Sequence, residues 1–166
     1  MFSVEKYADS VKKHLENHSD MLVRNLKKIF KYNFSSEVDL LEFTVYVDDN
    51  TFEFSIMMFL MDLNGDEVVY KGKDKTIFVS STEILPEVKY CDIDESLLDD
   101  FYEFYDQNED RFYTQEQLIF TKWFSQCWEK ADGDTVKLPS YFAFPNDDRS
   151  YDLKNHQWVH DEKKWF

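Results

Sequence analysis

The sequence predicts a single α+β domain over residues 1–166: a mostly antiparallel β-meander with three helices packed on one side. Three observations point to it. Apolar residues recur at spacings of three, four and seven over residues 3–32 and again over 114–131, the period of amphipathic helices. Between them, residues 41–48 alternate apolar and polar, the period of a half-buried strand. A 166-residue chain of this mass buries about 70% of its unfolded surface, enough for one self-sufficient core. No repeat, linker or low-complexity segment divides it.

The first helix is expected from Ser3 to Tyr32. Val4, Ala8, Val11, Leu15, Leu22, Leu26 and Ile29 form a narrow stripe, His18 fills its one gap, and no Gly or Pro interrupts it. Seven basic and four acidic residues make this helix +3, leaving −18 for the rest. The stripe lasts only about four heptads, which favours packing on the domain and a monomer over a coiled-coil dimer.

Leu41, Phe43, Val45 and Val47 then alternate with Glu42, Thr44, Tyr46 and Asp48, and Asp48-Asp49-Asn50 makes the turn. Phe52 to Asp62 is the second strand. Its half from Ile56 to Met61 is apolar on both sides, which predicts a mid-sheet position with both faces covered. Asn64-Gly65 signals a hairpin into a third strand, Glu67–Lys71, with a fourth at Thr76–Ser80. Thr82 to Cys91 contains Pro86 and reads as irregular.

A second helix, capped by Asp92 or Asp94 and reaching Gln107, turns Leu97, Leu98, Phe101, Phe104 and Tyr105 inward. A third runs from Thr114 to Ala131. Thr114 is placed as N-cap, Gln117 as its capping-box partner and Gly133 as the left-handed residue past the end. Ile119, Phe120, Trp123, Phe124, Cys127, Trp128 and Ala131 share one half of its circumference, with Lys122, Ser125, Gln126 and Glu129 on the other. Four large aromatics on one face make this helix the expected centre of the core. Lys137–Phe144 and Ser150–Leu153 read as a late hairpin around Pro145-Asn146-Asp147-Asp148. From Asn155 onward no element is predicted.

The charge balance bears on partners. Lys plus Arg is 19 against 34 Asp plus Glu, a net −15, which repels phosphate backbones and disfavours nucleic-acid binding. Such a charge either keeps a protein soluble or attracts a basic partner. The N-terminus lacks a signal pattern, and no apolar run approaches membrane-spanning length. Two cysteines are too few for a disulfide framework, so reduced thiols and a cytoplasmic location are expected.

The acid is concentrated. Asp92 to Asp110 holds nine acidic residues and no basic one. Glu95, Asp99, Tyr102, Glu103 and Asp106 project opposite the helix's apolar face and are the candidate partner-binding residues. The plainer reading is a solvated face, partly neutralised by the basic first helix. Thirty aromatics exceed what a core of this size requires, so Tyr102, Tyr113, Trp158 and Trp165 are candidates for the surface.

No catalytic residue, metal or cofactor is predicted. Asp106-Gln-Asn108-Glu-Asp110 opens like an EF-hand loop, but Arg111 stands where the turn needs glycine and Gln117 where the loop needs its bidentate glutamate. Asp62-Leu-Asn64-Gly-Asp66 is explained by its hairpin. His156 and His160 have zincin spacing, but Gln157 replaces the general-base glutamate. His14 and His18 share that spacing without a third ligand. Gly65, Gly72 and Gly133 are isolated, so no phosphate-cradling loop can form.

In size, acidity and aromatic content, and in no specific motif, the chain is similar to small acidic bacterial immunity proteins that neutralise toxins. That resemblance implies a basic, toxin-like partner such as a nuclease. The expected function is a non-catalytic domain that occludes such a partner. Two alternatives stand beside it: a metal-dependent hydrolase using the His156/His160 region, and a structural or adaptor domain whose acidity serves solubility.

Overall fold

Ser3 accepts a hydrogen bond from the Lys6 amide at 3.1 Å and so caps α1, Val4–Ile29, in the computed structural model, which describes residues 1–165. After α1 come β1 (Asn33–Phe34), β2 (Leu40–Asp48), β3 (Glu53–Met61), β4 (Ile77–Phe78) and β5 (Thr82–Lys89). Then follow α2 (Leu98–Gln107), α3 (Glu109–Lys130), β6 (Ser140–Ala143), β7 (Arg149–Asp152) and β8 (Gln157–His160). The fold is α+β, with three helices and a six-stranded sheet in the order β5-β3-β2-β6-β7-β8. Every pairing in that sheet is antiparallel except β2 with β6; β1 and β4 form a separate parallel pair.

The core lies between this sheet and α1 and α3. The apolar stripe of α1 is buried as its spacing requires, and half-buried His18 bonds the Lys89 carbonyl at 2.8 Å. Phe43 of β2 meets Phe124 and Trp128 of α3, and Phe54 of β3 meets Phe120 and Trp123. Phe124 stacks on Phe142 of β6 with centroids 4.5 Å apart. Aromatic pairs at such distances add to area burial.

Several expectations are corrected. The meander stops at β5: α2 and α3 carry the chain back across the sheet, so β6 lies parallel beside β2. A parallel neighbour needs such a long crossover. The Asn64-Gly65 turn forms, with Gly65 at φ 82°, but Glu67–Lys71 contributes only a bridge from Glu67 to Met61. Thr82–Lys89 takes the place beside β3 instead. Its Pro86 is tolerated because β5 is the sheet edge and its register with β3 is bulged. Of Thr76–Ser80 only Ile77 and Phe78 are strand, paired with β1.

The second half of β3 is not covered on both faces. Phe54, Ile56, Met58 and Leu60 are buried under the helices, whereas Met57, Phe59 and Met61 are half-buried on the open face.

Helix α3 starts at Glu109, so Thr114 is an interior exposed residue and Gln117 is buried rather than capping. Ser125, expected outside, is also buried. The left-handed residue past α3 is Asp132, φ 61°, not Gly133. Gly133 has another reason to be glycine: a Cβ there would collide with the Trp128 indole. Leu97, expected inside, is exposed in the short turn before α2. The late hairpin forms between β6 and β7, and β8 adds a strand that the sequence did not reveal.

On the open face the C-terminal segment is pinned by Lys164. Its Nζ lies 2.8 Å from Glu42, 2.9 Å from Asp161 and 2.9 Å from the Ser150 hydroxyl, with the Tyr141 ring at 5.7 Å. The Lys164 side chain is buried, but Glu42 and Asp161 keep partial access to water. Lys164→Ala is therefore expected to cost about 2 kcal/mol, less than breaking a fully buried pair. Urea denaturation measures it; an unchanged midpoint would show that the network carries no stability.

Candidate docking surface

Asp94 sets up the acidic segment. Its carboxylate accepts from the Ser96 amide at 2.9 Å and the Ser96 hydroxyl at 2.7 Å, bonds that hold it below the usual carboxylate range. The 3-10 turn Glu95–Leu97 follows and leads into α2. Phe101 then fixes the rotation of α2, because its ring is buried among Phe2, Tyr7, Phe52 and Phe112. With Phe101 inward, Glu95, Asp99, Glu103 and Asp106 are all exposed.

Among the described residues, none of these four carboxylates has a Lys or Arg partner. The nearby Arg111 pairs with Glu5 at 3.0 Å, on the surface. The basic first helix forms no ion pair with the cluster among the described residues. Phe2, just before α1, packs on Phe101 and Phe104 of α2. Arg24, Lys27 and Lys28 lie near the opposite end, roughly 30 Å or more along the helix at 1.5 Å per residue, with Lys31 just past it. Among the described residues, the nearer Lys6, Lys12 and Lys13 form no salt bridge with these carboxylates. Salt screens exposed charges within about 8 Å. Four of the seven basic residues of this first segment therefore lie far from the acidic helix.

Tyr102 is placed differently from the sequence expectation. It does not project away from the core: its ring stacks on Phe52 at 6.1 Å, and its hydroxyl donates to the Asp49 carbonyl at 2.9 Å. It clamps α2 to the β2–β3 turn, so that Tyr102, flanked along α2 by Asp99 and Asp106, has the exposed Asp48 and Asp49 beside it. Phe52, at φ 55°, is held in that costly conformation by burial among Tyr90, Phe101 and Tyr102. The result is one acidic ridge built from α2 and a strained turn.

Beneath the ridge lies a buried carboxylate that sequence reasoning missed. Glu116 accepts from the Tyr7 hydroxyl at 2.7 Å. Burial pushes its carboxyl up to about 7, opposed by the Tyr7 bond and reinforced by Asp49. Burial also raises the Tyr7, Tyr90 and Tyr105 hydroxyls around it. A signal existed: Glu116 is four residues from both Phe112 and Phe120, inside the apolar stripe once α3 is extended back to Glu109.

Glu116 also lines a cleft of about 300 Å³ between α3, the end of β2 and the β6–β7 turn, with Tyr46, Tyr113, Gln117, Phe144 and Asn146 among its walls. At the rim, Asp147 accepts from the Tyr113 hydroxyl at 3.2 Å and from the Gln117 amide. Burial alone would raise the Asp147 carboxyl, but the Arg149 backbone amide, Gln117, Tyr113 and the Arg149 charge together hold it below its ordinary value.

The near-motifs for metals do not converge. His156 and His160 bracket β8, where four residues span about 13 Å. His156 sits 3.7 Å from Glu129, and His160 sits 3.4 Å from Asp148 and 3.5 Å from Glu162. Asp106 lies in the last turn of α2 and Asp110 in the first turn of α3, with only Asn108 between the two helices, so these residues do not form a calcium loop. Among the described residues, no group of three or more His, Cys, Asp or Glu side chains is arranged to hold a metal ion. Calorimetry is expected to show no stoichiometric site for zinc or calcium at micromolar concentration; one tight site for either would contradict this.

Of the other aromatics read as surface candidates, Tyr113 is exposed, and half-buried Trp158 stacks under Arg149 at 5.1 Å. Half-buried Trp165 lies 5.2 Å from the Lys164 ammonium. Both cysteines are buried and free. No helix among the described residues is long and apolar enough to cross a membrane. Comparison with known proteins gives no match: no family model, no curated protein and no solved structure is similar to the chain.

Proposed function

We propose that this chain is a non-catalytic binding domain whose acidic ridge docks on a basic protein and occludes it, as an inhibitor or immunity protein does to a toxin such as a nuclease. The supporting observation is the exposure of Glu95, Asp99, Glu103 and Asp106, with Asp48 and Asp49 beside Tyr102 of the same helix, and without a cation paired to any of the four among the described residues. Clustered like charges repel one another, and a basic surface would relieve that repulsion on docking. The same field would steer a basic partner toward the ridge from beyond contact range. The proposed setting is the reducing cytoplasm, where Cys91 and Cys127 stay free.

A hydrolase at His156 and His160 draws less support, because the two rings sit at opposite ends of a strand with separate carboxylate neighbours. The adaptor reading shares the exposed ridge but gives it no partner.

The test is capture from the source cell. Wild-type chain is expected to retain a basic protein that the triple variant Asp99→Lys, Glu103→Lys, Asp106→Lys loses. All three positions are exposed, so the circular-dichroism spectrum and melting curve should stay near wild type. Equal capture by the folded triple variant would make the ridge a solvated face and remove the main support for docking.

A further inference from the structure

We propose that the cleft between α3, the end of β2 and the β6–β7 turn is the anchor subsite of the docking surface, and that it takes an arginine side chain of the basic partner. The inference rests on the docking reading above and names the group that would be recognised.

Four observations carry it. First, the cleft is continuous with the ridge: Val45, Tyr46 and Val47 line it and lead directly into Asp48 and Asp49. Second, Glu116 from α3 lines it, and the wall residues Tyr113 and Gln117 are held from outside by Asp147 of the β6–β7 turn, which is itself paired with Arg149. Third, Glu116 is 91% buried; among the described residues its Oε1 accepts from Tyr7, while Oε2 has no protein donor and keeps access to solvent. A buried carboxylate without a cation is costly, and a cation entering the cleft would remove that cost. Fourth, Tyr46, Tyr113 and Phe144 give the walls aromatic surface.

That combination favours guanidinium over ammonium. A guanidinium is flat, weakly hydrated, stacks on rings and forks onto carboxylates, whereas an ammonium is a compact, strongly hydrated point charge. Its propyl stem would lie against the aromatic walls.

Binding should also depend on pH. The groups facing Glu116 are Tyr7 from α1, Tyr90 and Cys91 beyond β5, Tyr105 from α2, Asp49 from the β2–β3 turn, and Tyr113 at the cleft. Burial raises all four tyrosines and the cysteine, which keeps them neutral near pH 7. Glu116 is then the group that changes charge as pH falls through about 7, and cation affinity should fall with it.

The probe is butylguanidinium, which carries the arginine head group on a short alkyl stem, titrated into the full chain at pH 8 and followed by side-chain NMR. Saturable shifts are expected at Tyr113 and at the Glu116 carboxyl. Glu116→Gln, which keeps an acceptor for Tyr7, should weaken binding about tenfold or more, as loss of a charge-assisted hydrogen bond does. Lowering the pH to 5.5 should mimic Glu116→Gln. Butylurea, uncharged and of the same shape, should shift nothing.

Equal shifts with butylurea, no saturation, or unaltered binding in Glu116→Gln would each overturn the cleft proposal. None of these touches the ridge, whose own test is the Asp99, Glu103, Asp106 reversal. Conversely, full capture by that reversed variant would end the docking reading, while charge-selective butylguanidinium binding would still support a guanidinium site in the cleft.

Discussion

Phe124→Ala is expected to lower the unfolding free energy by about 3–5 kcal/mol, the usual cost of truncating a large buried aromatic. Phe124 is fully buried in the middle of α3. Its ring lies 5.2 Å from Phe43 of β2 and is stacked at 4.5 Å on Phe142 of β6. It therefore bridges the two strands whose parallel pairing closes the sheet. Neighbours on ordered strands collapse poorly into a void, which places the cost in the upper part of that range. Trp128→Ala should cost a similar amount, since its indole meets Phe30 and Phe43 and fills the space against Gly133. Melting and urea curves measure both. Near-wild-type stability of either variant would mean that α3 presents a different face to the sheet.

Glu116→Gln is expected to stabilise the fold at pH 8 and to leave it nearly unchanged at pH 4.5. The folded-state carboxyl titrates near 7, above its ordinary 4.5. Between those values the folded chain binds the proton more tightly than the unfolded chain does. The contribution of this group to stability is then fully present below pH 4.5, declines as pH rises through about 7, and levels off above. A shift of this size corresponds to about 3 kcal/mol. Glutamine keeps the shape and the acceptor for Tyr7 but has no charge to bury, so the decline should vanish. The carboxyls held low, Asp74, Asp94 and Asp147, act in the opposite direction below their ordinary range and are common to both proteins. Parallel pH profiles for wild type and variant would contradict the burial of this carboxylate.

The helices were legible because their signals are local. The α1 stripe and the aromatic face of α3 are fixed by spacing alone, and both are buried as read. What sequence could not convey was set by tertiary neighbours. Pro86 reads as a strand breaker, yet at the sheet edge its missing amide costs no ladder bond. The alternation of Met57, Phe59 and Met61 with buried neighbours was hidden because both sets are apolar, and only the absence of helices on one face separates them. Gly133 reads as a cap residue, but its neighbour Trp128 dictates it.

The candidate site divides in the same way. The charges of Glu95, Asp99, Glu103 and Asp106 are visible in sequence, and the periodicity of α2 puts them outside. The placement of Tyr102 required knowing that Phe52 would stand beneath it. Glu116 was missed because Thr114 resembled an N-cap; starting the helix there placed the carboxylate in the first turn, where acidic residues are ordinary.

Docking by the ridge is tested most directly by association kinetics with the captured partner at increasing salt. Expected for the wild type is an association rate that falls steeply with ionic strength, while dissociation changes little. The Asp99→Lys, Glu103→Lys, Asp106→Lys variant should associate at least about tenfold more slowly. Asp134→Lys, an exposed reversal beyond the far end of α3, should behave as wild type. Equal association rates for the wild type and the triple variant, with no dependence on salt, would contradict the claim that this ridge receives a basic protein.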